Sequence, residues 1–214
     1  MSAKQKRVNA FISEFCDDAL TVLKKCDRKL RNNLVKGEVS GATGDFYYES
    51  PKGLYIRSIT EEIVKWLIFS NLCDRYCMRP ELPLTNNKRL DLALSSSSKL
   101  DNYDIAIEMK WVGFRKDGRI SEWARKSMID DAIKLHNMDF RYKYIMQFGF
   151  LDVNYHKYLN FEASANEFKN FDKRQFRKGV LNPDPIFNKS FSTWDRDRNN
   201  KHFTLILWEI SRLS

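Results

Sequence analysis

The chain has 214 residues, a length that suits one domain with a full hydrophobic core. Its hydrophobic fraction of 43% and charged fraction of 30% are those of a globular protein and exclude a disordered chain. Lys and Arg outnumber Asp and Glu by 37 to 28, and this net charge of +9 favours a polyanion such as nucleic acid as a partner, although a merely basic protein would share it.

Membrane and secreted classes are not indicated. No stretch approaches the roughly 20 apolar residues that span a membrane, so we expect no membrane partner. The basic start, MSAKQKRVNAF, is not followed by the apolar core of a signal peptide. The 4 cysteines are too few and too irregularly spaced for a disulfide framework and are typical of small buried residues in a reducing compartment. These features predict an intracellular, cytoplasmic protein.

The first part of the chain predicts two helices separated by a loop. Apolar residues recur at intervals of three and four between residues 4 and 33, as in a long amphipathic helix. Residues 37–55 are rich in Gly and turn-forming residues and predict a loop or an irregular hairpin. A second helix is expected over residues 58–73, where Ser58 and Glu61 fit a capping box.

The rest of the chain predicts mainly strands. Residues 78–85 contain two prolines and suit an edge strand or an irregular strand, whereas residues 88–94 alternate between apolar and polar side chains. A polar turn then leads to the apolar stretch 103–111. A helix is expected over 120–137, a strand over 142–153 and a last strand over 202–211, while residues 155–201 give no assignment.

This order of elements predicts the fold class. A helix, three strands, a helix and a further strand indicate an α/β protein with a mixed sheet flanked by helices. We expect a single domain over 1–214. Within it, residues 1–55 form an N-terminal helix and loop appendage, residues 56–152 the core, and residues 153–214 a C-terminal extension. The N-terminal helix is interpreted as an added structural or dimer element.

The stretch YDIAIEMKW, residues 103–111, carries charge on one side of an otherwise apolar strand. Successive side chains of a strand point to opposite faces, so Asp104, Ala106, Glu108 and Lys110 share one face, and Ile105, Ile107, Met109 and Trp111 share the other. Two interpretations are open. The charged face meets solvent, or it meets a site that needs an acid and a lysine two residues apart.

A third charged residue, Asp91, belongs to the preceding strand. A short polar turn joins the two strands, so a hairpin would place Asp91 beside Glu108, with Lys110 further along the strand. Carboxylate pairs of this kind suit Mg²⁺, which takes one or two carboxylates and keeps several waters. A metal and a lysine together can assist the hydrolysis of a phosphodiester.

The motifs resemble a known family. LD at 90–91 followed by EMK at 108–110 resembles the signature of the PD-(D/E)xK nuclease superfamily, and the predicted element order over 56–152 resembles its core. One departure is that Leu90 stands where the signature has a proline. The resemblance implies a restriction-endonuclease-like core of the order αβββαβ, here with an added N-terminal helix.

The resemblance also implies roles for the motif residues. Asp91 and Glu108 would hold Mg²⁺, with Mn²⁺ as a substitute, together with the backbone carbonyl of Met109. Lys110 would be the catalytic lysine, which orients the attacking water or stabilises developing charge. The activity implied is that of a metal-dependent phosphodiester hydrolase.

The family often has a glutamate on its first core helix, which corresponds to Glu61 or Glu62 here. Glu61 shares a helix stripe with Val64 and is slightly preferred, although a purely capping role fits it equally well. Other charged residues near the motifs have structural interpretations: a turn role for Asp104, solvent-facing positions for Asp130 and Asp131, and a helix ion pair with them for Lys134.

Residues 167–179, EFKNFDKRQFRKG, are the predicted nucleic-acid contact. Basic side chains neutralise phosphates, while phenylalanines stack on bases or face the core of an ordinary helix, and both interpretations stay open. Residues 193–202 are a weaker second candidate. The basic residues of the first segment are Lys169, Lys173, Arg174, Arg177 and Lys178.

The sequence therefore predicts a Mg²⁺-dependent nuclease, in the first place a DNA endonuclease of restriction or repair type. The alternative is a catalytically inactive nucleic-acid-binding or scaffold module on the same fold. RNA as the substrate also stays open. A homodimer would suit an enzyme that cuts both strands of a symmetric site.

Overall fold

The structure is a computed structural model that describes residues 3–35, 61–84, 88–97, 102–111, 122–150, 185–194 and 200–210. Its elements follow the predicted order, including the last strand, with one further strand, β5, ahead of it. They are α1 (Ala3–Val35), α2 (Glu61–Leu72), β1 (Met78–Pro83), β2 (Arg89–Leu94), β3 (Ile105–Trp111), α3 (Glu122–His136), β4 (Tyr142–Phe150), β5 (Phe187–Trp194) and β6 (Asn200–Glu209).

The six strands form one mixed sheet in the order β1-β2-β3-β4-β6-β5. Strands β3 and β4 are parallel, and the other neighbouring pairs are antiparallel. A parallel pair needs a crossover, which α3 provides. The predicted α/β class with a mixed sheet flanked by helices is therefore confirmed, and β1 is an edge strand as its prolines predicted.

One face of the sheet is covered by α1 and α2. The buried residues of α2, Val64, Ile68 and Leu72, recur every four positions and lie in the same core as Phe15 and Leu23 of α1. The strands contribute large side chains to this core: Ile105, Ile107, Met109, Tyr144 and Phe148. Helix α1 thus shares its core with the rest of the sheet.

The opposite face is covered by α3 over a smaller core. Met128, Ala132 and Leu135 of α3 are buried against Ala106 and other strand residues. Small side chains at this contact allow the helix to approach the sheet closely. On β3, Ala106 is followed on the same face by Glu108 and Lys110, so the apolar layer gives way to charged groups there.

Strand β2 is distorted at Asp91. The β2–β3 ladder ends at Leu92 and Ile107, although both strands continue beyond it. The β1–β2 pairing skips Glu81 and Asp91, and Glu81 has a φ of 50°, in the left-handed region. Leu92 joins the larger core, while Leu90, two residues earlier, joins the smaller one. The strand therefore turns over at Asp91.

Strand β5 was missed by sequence reasoning. Its buried residues, Phe187, Phe191 and Thr193, lie on one face, but Lys189 on the same face is exposed and interrupts the apolar alternation. Pairing with β6, not periodicity, makes this segment a strand.

None of the helices within the described ranges has the length and apolar character to cross a membrane.

Candidate active site

Asp91 lies where β2 and β3 separate, and both of its carboxylate oxygens have partners. Oδ2 accepts a hydrogen bond of 2.7 Å from the backbone N–H of Met109. Oδ1 lies 2.6 Å from the Nζ of Lys65 on α2, which also lies 3.2 Å from Oε1 of Glu81. The distortion of β2 turns the Asp91 side chain back onto the backbone of β3, so the carboxylate is held at a fixed position.

Glu108 is buried next to this position. Continuing the β2–β3 register by one residue brings Glu108 opposite Asp91. Its side chain is 3% exposed, and its Oε1 lies 2.5 Å from the Nζ of Lys134 on α3. Lys134 also donates a hydrogen bond to the backbone carbonyl of Arg89. The site therefore receives one lysine from each side of the sheet.

Lys110 forms the third ion pair. Its Nζ lies 3.0 Å from Oδ2 of Asp131 on α3, and the two side chains are only 13% and 16% exposed. The predicted solvent-facing position of Asp131 is wrong, because it lies three residues after Met128 and four before Leu135, on the face of α3 that packs on the sheet. Asp130 is exposed, as predicted.

The interpretation of Lys134 as an ion-pair partner of its helix neighbours is also wrong. Lys134 reaches across to Glu108 of β3, so its partner comes from tertiary packing. The interpretation in which the charged face of β3 meets solvent is wrong as well, because Ala106 and Glu108 on that face are both buried. The charged face of YDIAIEMKW meets an enclosed cluster of acids and lysines.

The electrostatics of the cluster disfavour further negative charge. Burial, followed by the negative charge of Asp91, raises the pKa of Glu108 to about 8, against the lowering effect of Lys134. Burial also raises the pKa of Asp131, against the lowering effect of Lys110. The three lysines do not fully compensate the cost of burying the acids, and added positive charge would favour their ionised forms.

The donor atoms fit a small divalent cation. Within the described ranges, no group of three or more His, Cys, Asp or Glu side chains is arranged to hold a metal ion. Mg²⁺, however, commonly uses one or two carboxylates and completes its shell with water, so Asp91 and Glu108 suffice. Oε1 of Glu108 is buried, and its partner in the described part of the chain is the ammonium group of Lys134, 2.5 Å away in an ion pair.

Several predicted site residues are not placed. Helix α2 begins at Glu61, but the side chains of Glu61 and Glu62 lie outside the described part of the structure. The basic residues of segment 167–179 also lie outside the described residues, namely Lys169, Lys173, Arg174, Arg177 and Lys178.

Asp104 has the structural role predicted for it. Its Oδ1 accepts a hydrogen bond of 2.7 Å from the backbone N–H of Ser96, and its Oδ2 accepts one of 2.5 Å from the Ser96 hydroxyl. These bonds close the turn between β2 and β3. Asp104 therefore lies at the opposite end of β3 from Lys110.

Sequence reasoning missed three members of the cluster: Lys65, Asp131 and Lys134. A usable signal existed for Lys65, because it follows Glu61 by four residues and Glu62 by three and so shares a helix face with them. Asp131 and Lys134 are likewise three residues apart on α3. Their partners on β3 depend on how α3 packs, which the sequence pattern does not determine.

Comparison of the chain with protein-family models, with curated proteins and with solved structures finds no match.

Proposed function

We propose that this chain is a divalent-metal-dependent nuclease that hydrolyses phosphodiester bonds, with DNA as its first candidate substrate. Elements α2, β1, β2, β3, α3 and β4 would form its restriction-endonuclease-like core. The observation that carries the proposal is the meeting of Asp91 and Glu108 where β2 and β3 separate, with Lys110 on the same face of β3. Two acids and a lysine buried together are costly to place there for packing alone.

In this proposal Asp91 and Glu108 hold Mg²⁺ or Mn²⁺, helped by the backbone carbonyl of Met109. The bound cation would act as a Lewis acid and offset negative charge on the phosphodiester. The Met109 N–H fixes the orientation of the Asp91 carboxylate. Burial of Glu108 between β3 and α3 limits the water around it, which strengthens its interaction with any nearby positive charge.

Lys110 acts on the substrate in this proposal. Its ammonium group donates a hydrogen bond to the attacking water or to a phosphate oxygen. Negative charge develops on the phosphate oxygens during hydrolysis, and the ammonium group stabilises it. Asp131 holds that ammonium group in place through the 3.0 Å ion pair. Glu61 or Glu62 of α2 keeps its proposed supporting role in the site.

Substrate binding would use the positive charge of the chain. The net charge of +9 favours association with a phosphate backbone. We assign contacts with the phosphate backbone of DNA to the basic residues of segment 167–179. Contacts of this kind carry no information about base sequence. A homodimer would suit the cutting of both strands of a symmetric site.

The test is cleavage by the purified full-length chain. Supercoiled plasmid and linear duplex DNA are incubated with the unsubstituted protein in Mg²⁺, Mn²⁺ or EDTA. The same reactions are run with the Lys110→Ala variant and with the control variant Lys189→Ala. Lys189 forms an exposed ion pair of 2.6 Å with Asp17, away from the site. We expect metal-dependent cleavage that falls at least ~100-fold in Lys110→Ala and is unchanged in the control. Equal cleavage by the Lys110→Ala protein would contradict the assignment.

The ion pairs themselves favour a second candidate function, a nucleic-acid-binding or scaffold module without catalysis. Lys65, Lys110 and Lys134 each already form an ion pair with a carboxylate, and buried ion pairs can specify packing alone. DNA binding that is equal in EDTA and in Mg²⁺, with no cleavage of duplex DNA, single-stranded DNA or RNA in either metal, would support this candidate.

A further inference from the structure

Two lysines stand where the proposed metal would supply charge. Lys65 of α2 lies 2.6 Å from Asp91 Oδ1, and Lys134 of α3 lies 2.5 Å from Glu108 Oε1. Their side chains are only 12% and 21% exposed, so these are not loosely held surface pairs. We call Lys65 and Lys134 the counter-ion lysines.

The counter-ion lysines and a divalent cation compete for the same two carboxylates. Mg²⁺ binds carboxylate oxygens at about 2.0–2.1 Å and requires near-octahedral geometry. An ammonium nitrogen 2.5–2.6 Å from one oxygen of each carboxylate would crowd that shell and repel the cation. Binding of the cation therefore requires that the lysines move away from the carboxylates or weaken their contacts.

We propose that Lys65 and Lys134 take the place of the divalent cation in the resting protein, and that cation and nucleic acid together move their ammonium groups from the carboxylates to backbone phosphates. This inference rests on the proposed metal site. Each lysine has a four-carbon stem with several rotatable bonds, which allows its ammonium group to change partners. A phosphate oxygen offers a charge-assisted hydrogen bond in place of the ion pair that is lost.

The exchange couples the two ligands. Without nucleic acid the counter-ion lysines lower the affinity for the cation, because its binding separates two half-buried ammonium groups from Asp91 and Glu108. Nucleic acid gives these groups new partners and so raises the affinity for the cation. By linkage the cation raises the affinity for nucleic acid by the same factor.

The test measures the two ligands separately in Lys65→Met and Lys134→Met. Mn²⁺ binding without nucleic acid is followed by the loss of the free-ion electron paramagnetic resonance signal. Binding of a fluorescent duplex is followed by anisotropy in Ca²⁺, chosen as a cation for measuring binding without relying on turnover. We expect each variant to bind Mn²⁺ at least ~5-fold more tightly than the unsubstituted chain and to bind the duplex at least ~5-fold more weakly, within the usual range of coupling between sites.

The control is Lys189→Met, which removes a lysine from an exposed pair with Asp17 outside the site. Both affinities should be unchanged in it. If a methionine variant does not fold, as judged by circular dichroism, Lys65→Gln or Lys134→Gln keeps a polar group at the position and is expected to shift both affinities in the same directions.

The outcomes separate this inference from the proposed function. Mn²⁺ affinity that is unchanged or lowered in both variants overturns the exchange, as does the absence of Mn²⁺ binding in all proteins. Tighter Mn²⁺ binding and weaker duplex binding by the variants support it, even where no substrate is cleaved. If the affinities shift in this way and no substrate is cleaved, the proposed exchange is supported and the proposed nuclease function is refuted.

Discussion

At the scale of single residues, Glu108 carries the largest electrostatic cost in the site. The residue is 2% exposed and lies beside a second acid, so burial and the charge of Asp91 raise the pKa of its carboxyl group from 4.5 to about 8. A structural residue would not need to be acidic at this position. The same burial makes Glu108 sensitive to any positive charge placed beside it.

The raised pKa predicts a pH dependence of stability. Between pH 4.5 and 8 the unfolded chain loses a proton that the folded chain keeps on Glu108, so the free energy of unfolding decreases as pH rises through this range. Glu108→Gln removes this titration. The variant should gain stability relative to the unsubstituted chain as pH rises from 4.5 to 8, by on the order of 1 kcal/mol per pH unit. Urea denaturation of both proteins at pH 5 and pH 8.5 measures the difference in their free energies of unfolding. A difference that is the same at both pH values would refute the prediction.

Asp131 and Lys110 predict a second effect at this scale. If Asp131 acts by holding Lys110, Asp131→Asn should lower kcat by roughly 10-fold and alter KM less, since the ammonium group is retained but less well positioned. The double variant with Lys110→Ala should be no slower than Lys110→Ala alone. Single-turnover cleavage rates of the three proteins decide this, and additive losses would show that Asp131 acts independently of Lys110.

At the scale of elements, the site depends on the irregular pairing of β1 and β2. A regular ladder would pair Glu81 with Asp91 and keep Leu90 and Leu92 on one face. Instead the pairing skips these two acids, and Glu81 takes a φ of 50°. The irregularity allows Asp91 to accept a hydrogen bond from β3 and to meet Lys65 of α2.

This distortion predicts an unusual order of stabilities at position 81. Glycine normally weakens a strand relative to alanine, but a left-handed φ reverses that preference. Glu81→Gly should therefore be more stable than Glu81→Ala by about 1 kcal/mol, while both lose the exposed contact with Lys65. Thermal unfolding of the two variants measures the difference. A more stable alanine variant would show that the left-handed backbone is not maintained.

The elements also show which features sequence patterns could predict. Helices α1, α2 and α3 and the motif strands β2 and β3 have clear periodicity, and the short turn between the strands brings Asp91 to Glu108. Strand β5 lacks such a pattern and depends on β6. Lys65, Asp131 and Lys134 reach the site only through helix packing on the two faces of the sheet, and no local signal specifies that packing.

At the scale of the whole molecule, both faces of the sheet converge on the site. Helix α2 supplies Lys65 from the larger core, and α3 supplies Asp131 and Lys134 from the smaller one. Helix α1 packs in the larger core with α2 and is tied to β6, where Gln5 donates a 2.7 Å hydrogen bond to Glu209. The position of Lys65 therefore depends on packing that extends from one end of the chain to the other.

The net charge of +9 leads to a prediction about nucleic-acid binding by the whole molecule. Lysines that contact phosphates release counterions, so the logarithm of the binding constant should fall linearly with that of the salt concentration, with a slope near −0.9 per phosphate on duplex DNA. If Lys65 and Lys134 move to phosphates only when a cation is bound, the slope should be steeper in Ca²⁺ than in EDTA by about 2. In Lys65→Met, which lacks one of the two lysines, the difference between the two slopes should be smaller by about 1. Anisotropy titrations at several salt concentrations, with the divalent cation held constant, provide the slopes. Equal slopes in Ca²⁺ and EDTA would mean that the counter-ion lysines stay with their carboxylates when DNA binds.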